Sequence, residues 1–118
     1  MKLFVPVERS DGETRVALSP DTAKKLAALG FDVVVESGAG EMSRIPDSQF
    51  EAAGARIGKG ADGSDADVVL KVRRPTPKES KTYKSGALVI ASMDPYGHEK
   101  DVEAMADAGI SAFAMEFM

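Results

Sequence analysis

Short apolar stretches alternate with amphipathic ones along this chain, and glycine stands at most junctions between them. Leu3-Phe4-Val5 predicts a first strand, closed by Pro6, which cannot donate to a central ladder. Ser19-Pro20-Asp21-Thr22 is a helix start: a hydroxyl cap, proline at the first helical position, and an acid in the positive first turn. The helix that follows predicts Ala23, Leu26, Ala27 and Leu29 on the buried face, Lys24 and Lys25 outside, and Gly30 as its stop. Phe31 to Glu36 carries a continuous valine run, the mark of a strand buried on both faces.

The same grammar then repeats. Asp47 is expected to cap a short helix through Phe50 and Ala53, and Ala55-Arg56-Ile57 a short strand. Residues 58 to 67 are rich in glycine and aspartate and predict a loop or a poor helix. Val68 to Val72 and Ala87 to Met93 read as further buried strands. Glu99 to Ala108 reads as a helix with Val102, Met105 and Ala106 inward, and Ile110 to Met115 as a last strand. Strand–helix–strand alternation with right-handed crossovers gives a three-layer α/β domain, Rossmann-like or flavodoxin-like: a mostly parallel sheet with helices on both faces. Residues 1–118 are expected to be one such domain. An apolar strand so close to Met118 makes it the expected N-terminal portion of a longer chain.

Composition narrows the chemistry. The 118 residues include 15 Lys and Arg, 19 Asp and Glu and one His, a net charge of −4, which argues against a nucleic-acid binder. The absence of cysteine removes disulfides, thiolate catalysis and Cys-based zinc sites. One histidine with scattered carboxylates predicts no metal site. That histidine, His98, enters a helix and is expected at the surface or as a cap.

In an open parallel sheet the ligand crevice lies beyond the carboxyl ends of the strands, which singles out a few residues. Gly38-Ala39-Gly40 follows the second strand, but Ser43 stands where a dinucleotide fingerprint needs its third glycine, and no helix opens at once. The segment is either a plain turn or half a phosphate cradle. Lys71, Arg73 and Arg74 end the fourth strand, and Arg15 precedes the first helix. Together they can converge on an anionic ligand, since guanidinium suits carboxylate and phosphate. The alternative is that Arg73 and Arg74 are solvated strand-end charges and that Lys71 snorkels from the sheet.

The N-terminal block carries a resemblance. Phe4-Val5-Pro6-Val7-Glu8-Arg9, then Gly12-Glu13-Thr14-Arg15-Val16-Ala17-Leu18-Ser19-Pro20, resembles the opening of the alanine dehydrogenase and nicotinamide nucleotide transhydrogenase family. Leu29-Gly30-Phe31, the run from Val33 to Gly40, Ala52 to Ala55 and Val69 to Pro75 continue the likeness over nearly the whole chain. The alanine dehydrogenase branch calls for a lysine two residues beyond the Lys71 position and a histidine after the next strand, to hold and protonate a keto acid. Here those positions are Arg73 and Asp94. A permanently charged guanidinium cannot titrate, and a carboxylate there faces an anionic substrate. The closing stretch from Ala112 to Met118 looks like the transhydrogenase alpha subunit.

The resemblance therefore implies the first subdomain of the NAD(H)-binding component of a proton-translocating transhydrogenase. In that family hydride passes between NAD(H) on this component and NADP(H) on a separate one, coupled through a membrane-spanning component. It implies a NAD-binding Rossmann domain downstream in the same chain, a homodimer, and a cytoplasmic location at the inner membrane through partner subunits. No catalytic residue is expected within these 118 positions, and the fragment alone is expected to bind NAD negligibly and turn over nothing. Lys71, Arg73, Arg74 and Arg15 are expected to line the cofactor cleft. Two other readings stand beside this one: an alanine dehydrogenase-like amino-acid oxidoreductase domain, and a non-catalytic α/β binding module.

Overall fold

The computed structural model describes residues 1–9, 12–92 and 99–114, with the side chain of Ala114 left aside. Six parallel strands form one sheet: β1 (Lys2–Val5), β2 (Asp32–Glu36), β3 (Arg56–Gly58), β4 (Val68–Arg73), β5 (Leu88–Ser92) and β6 (Ser111–Ala114). Their spatial order is β3-β2-β1-β4-β5-β6, so the chain reverses direction across the sheet between β1 and β4. All pairings are parallel, among them Phe4 with Val34 on one side and Val69 on the other. The α/β class read from the alternation is the class found.

Right-handed crossovers dictate where the helices go. The two units that move from β1 to β3 carry α1 (Pro20–Ala28) and α2 (Asp47–Ala52) on one face. The units running from β4 to β6 carry α3 (Pro77–Ser80) and α4 (Glu99–Asp107) on the other. Strand alternation sorts the core accordingly. Leu3, Val5, Val33, Val35 and Phe50 pack beneath α1 and α2. Phe4, Val34, Val69, Tyr83, Val89 and Met105 pack beneath α3 and α4.

Several local expectations need correction. Leu29 is 75% exposed, because it caps α1 in the turn that leads to Gly30 and lies past the buried stripe of Ala23 and Leu26. On α4, Met105 points inward but Ala106 is exposed, and Ala108 packs in its place. Asp47 is the first residue of α2, not its cap. Its carboxylate reaches back to accept from Ser37 Oγ at 2.8 Å and Gly38 N at 3.0 Å. The stretch 58–67, by contrast, is as expected, a loop around one 3₁₀ turn, Gly60–Gly63. The short α3 stands where periodicity predicts no helix, although Thr76-Pro77-Lys78-Glu79 spells a capping box: Glu79 N donates to Thr76 Oγ1 and Thr76 N to Glu79 Oε1.

Candidate functional site at the carboxyl ends of the strands

Pro6 ends β1, and the chain beyond it folds over the carboxyl edge of the sheet. What organises this edge is a set of buried carboxylates, each receiving donors from distant stretches of the chain. Glu36, the last residue of β2, accepts from Val7 N at 2.9 Å and from both Arg9 Nη atoms at 3.2 and 2.7 Å. This bidentate pair raises the Arg9 guanidinium above its ordinary pKa. Glu8 accepts from Val72 N at 2.9 Å and Arg73 N at 3.1 Å, where β4 slips register against β5.

Glu13 holds the most donors. Its carboxylate takes Arg15 N at 2.9 Å, Arg15 Nε and Nη2 at 3.0 Å, and Arg73 Nε at 2.9 Å. The Arg15 bonds, followed by that from Arg73, hold the Glu13 carboxyl well below the usual carboxylate range. Arg15 is raised in return. The Glu13 side chain is 3% exposed, while those of Arg15 and Arg73 are 68% and 52% exposed. One buried anion thus fixes two outward-facing cations.

The four basic residues singled out in the sequence do not form one wall. Arg15 and Arg73 meet on Glu13. Lys71 follows Val69 to the α3 side of the sheet, where its side chain is 2% exposed and its ammonium lies 3.2 Å from Glu79 and 3.5 Å from Glu8. It does not snorkel, because two carboxylates satisfy it in the interior. Arg74 turns to Asp101 on α4, with Nε 2.8 Å from the carboxylate. Asp94 and His98 lie outside the described residues. Strand-end position alone points to Glu8 and Arg9, and it does not reveal Glu13, Glu36 and Glu79 as partners. Only Glu13 leaves a local trace, two residues before Arg15.

Beneath Arg15 lies a pocket of about 400 Å³ on the α1 face, bounded by Ser19, Ser43, Leu70, Val72 and Ile90. Ser43 Oγ donates to Thr14 O at 2.6 Å, fixing the loop that carries Arg15. The glycine turn after β2 does not open into this pocket as a phosphate cradle. Gly38, at φ +85°, has its N–H bound to Asp47, and a Cβ on Gly40 would lie 2.6 Å from Ile45 O. These glycines serve the turn and its packing.

Chemically, the edge offers anion recognition. Arg73 spends only Nε on Glu13, and Arg15 keeps Nη1 unused among the described residues. Both guanidiniums stay charged across the physiological range, so the pair can orient and neutralise an anionic group but cannot shuttle a proton. Among the described residues no group of three or more His, Asp or Glu is placed to hold a metal ion, and no helix is long and apolar enough to cross a membrane.

Comparison with known proteins places this geometry. Residues 4–118 match the family model described as alanine dehydrogenase/PNT, N-terminal domain. The whole chain is 44% identical to 33% of an NAD(P) transhydrogenase subunit alpha polypeptide of Rhodospirillum rubrum. It is 36% identical, over 98% of its length, to 32% of the alanine dehydrogenase of Halomonas elongata. Among solved structures, the transhydrogenase from Sinorhizobium meliloti superposes with a TM-score of 0.97 at 57% identity, over the whole of this chain and 36% of that one. An L-alanine dehydrogenase superposes with a TM-score of 0.91 at 28% identity, over 97% of this chain and 32% of the other. The chain spans about one third of the length of these relatives.

Proposed function

Because this chain belongs to the alanine dehydrogenase/PNT family, we propose that it is the first domain of the NAD(H)-binding component of a proton-translocating NAD(P) transhydrogenase. The observation that carries the choice of branch is Arg73. It stands where amino-acid oxidation calls for a titrating lysine, and it is clamped to Glu13 instead. The higher identity to transhydrogenases, 57% and 44% against 36% and 28%, supports the same branch.

On this reading the dinucleotide is held chiefly by a Rossmann domain downstream of residue 118. The turn after β1 supports that division of labour: Pro6 has no N–H, and that of Val7 is bound to Glu36, so neither can cradle a pyrophosphate. NAD(H), when bound, supplies or accepts the hydride. Arg15 and Arg73 contribute a fixed cationic wall facing the phosphate or carboxamide side of the cleft, a task of positioning. NADP(H) belongs to a partner component, a membrane-spanning component couples the transfer to proton movement, and the assembly is a homodimer on the cytoplasmic face of the inner membrane.

The alternative is an amino-acid oxidoreductase, and Arg15, which suits a substrate carboxylate as well as a phosphate, does not separate the two. A test separates them in the full-length chain. Hydride transfer from NADH to an NADP analogue, dependent on the NADP-binding component, supports the proposal. Oxidation of NADH that depends on pyruvate and ammonium, without that component, overturns it.

A further inference from the structure

Among the described residues, one part of the sheet has no cover. On one face α1 packs on β2 and α2 on β3. On the other, α4 packs on β6, and the Gly60–Gly63 turn closes over β1 and β2, where Phe4 and Val34 are 1% exposed. No helix lies over the α1 face of β4, β5 and β6.

The parallel register puts two rows of side chains on that face: Val68, Leu88 and Ser111 in one, Leu70, Ile90 and Phe113 in the other. Val68 and Leu70 reach the core beneath α1. Leu88 and Ile90 pack against neither half of the core, and Phe113 is 47% exposed. Their neighbours Val69, Val89 and Ala91 point to the α3 and α4 side and are 0% exposed. Strands of a parallel sheet are apolar on both faces because both faces are covered, and here the pattern is met on one face only.

We propose that this strip seats a helix of the same polypeptide, from beyond residue 118, whose apolar stripe lies along β4 to β6. The seat depends on the longer chain proposed above: these residues span about one third of the relatives, so about two thirds of the polypeptide is available to return. Size favours a helix over a second copy of the domain. Three strands about 4.8 Å apart, each five residues long at about 3.3 Å, make a strip of roughly 250 Å². A helix about 10–12 Å across fills most of its width, whereas a stable dimer buries about 800 Å² on each partner. The strip is also continuous with the candidate site. Leu70 and Ile90 bound the pocket beneath Arg15, so the returning helix closes that pocket along β4 and β5.

The test replaces Phe113 of the full-length chain with the photoreactive p-benzoylphenylalanine, an aromatic exchange on an edge strand. The expected product is a cross-link within one chain, to a peptide beyond residue 118 whose apolar residues recur every three or four positions. Mixing light and heavy-isotope chains separates intrachain from interchain products. Phe113→Cys gives a second reading by maleimide alkylation, mapped by peptide mass spectrometry. Its alkylation is expected to be roughly tenfold or more slower than that of Lys24→Cys on the exposed side of α1, at every protein concentration. A cross-link between chains or within residues 1–118, protection that disappears on dilution, or alkylation as fast as at Lys24→Cys overturns the proposal. Hydride transfer from NADH is followed in the same preparations. Cross-linking as expected without hydride transfer contradicts the transhydrogenase reading and leaves the seat standing, and hydride transfer with an unprotected Phe113→Cys overturns the seat alone.

Discussion

Glu13 and Arg73, 60 positions apart, meet at 2.9 Å, and Arg15 closes on the same carboxylate from two positions away. The contact joins the loop after β1 to the end of β4 across the point where the sheet changes direction. It converts two mobile surface arginines into a fixed pair.

That clamp has a pH signature. The Glu13 carboxyl is held below its ordinary value near 4.5, and Asp32, Asp65 and Asp67 are lowered as well, by Arg56, Lys2 and Lys84 in turn. A depressed carboxylate stabilises the fold fully above its unfolded pKa, and that contribution is lost as pH falls toward the folded value. Glu13→Gln is therefore expected to lower Tm at pH 7, with a difference that begins to narrow as pH falls below about 4.5 and is still open at pH 3. Thermal unfolding followed from pH 7 to pH 3 checks it. A Tm difference that stays constant with pH would contradict the assignment.

Arg73→Ala in the full-length chain is expected to weaken NADH binding roughly three- to tenfold, as loss of one charged hydrogen-bonding group does. Equilibrium titration with NADH measures it. Unchanged affinity together with an unchanged hydride-transfer rate removes Arg73 from the site.

Lys71, buried between Glu8 and Glu79, carries a stability prediction of its own. Lys71→Met keeps most of the volume but leaves Glu8 and Glu79 without their shared cation. Breaking a buried pair in this way costs about 3–5 kcal/mol, which lowers Tm by roughly 10 °C or more. Adding Glu79→Gln to Lys71→Met should recover some of the loss, and a double-mutant cycle in urea measures how much.

Thr76→Ala removes the cap of α3 while leaving Pro77 in place. The expected cost is about 1 kcal/mol in urea unfolding, with NADH binding unchanged. A loss of NADH binding from this substitution alone would show that α3 takes part in the cofactor cleft.

The six strands and the α/β class were legible because valine runs and glycine stops are local signals, as at Val33–Val35 and Gly30. The order β3-β2-β1-β4-β5-β6 was not, since it depends on pairings such as Phe4 with Val69 that no window of sequence contains. The site divides along the same line. Arg15, Arg73 and Lys71 were visible as cations at strand ends, but what each cation does is decided by Glu13, Glu8 and Glu79, which arrive through tertiary structure. Lys71 shows the difficulty best: a lysine in a strand looks like a snorkelling edge, and only the return of Glu8 and Glu79 makes burial tolerable. Leu29 and Asp47 fell one position outside the roles their neighbours suggested, at helix ends where periodicity carries little information.

The Glu8 carboxylate does for β4 what β1 cannot. Beyond Pro6 no backbone is available to pair with Val72 and Arg73, and a side chain accepts both of their amides. The bulged tip of β4 is thereby hinged to the loop that also carries Arg9. One side chain thus closes an edge that the backbone of β1 leaves open, and the two halves of the sheet are joined there through a glutamate.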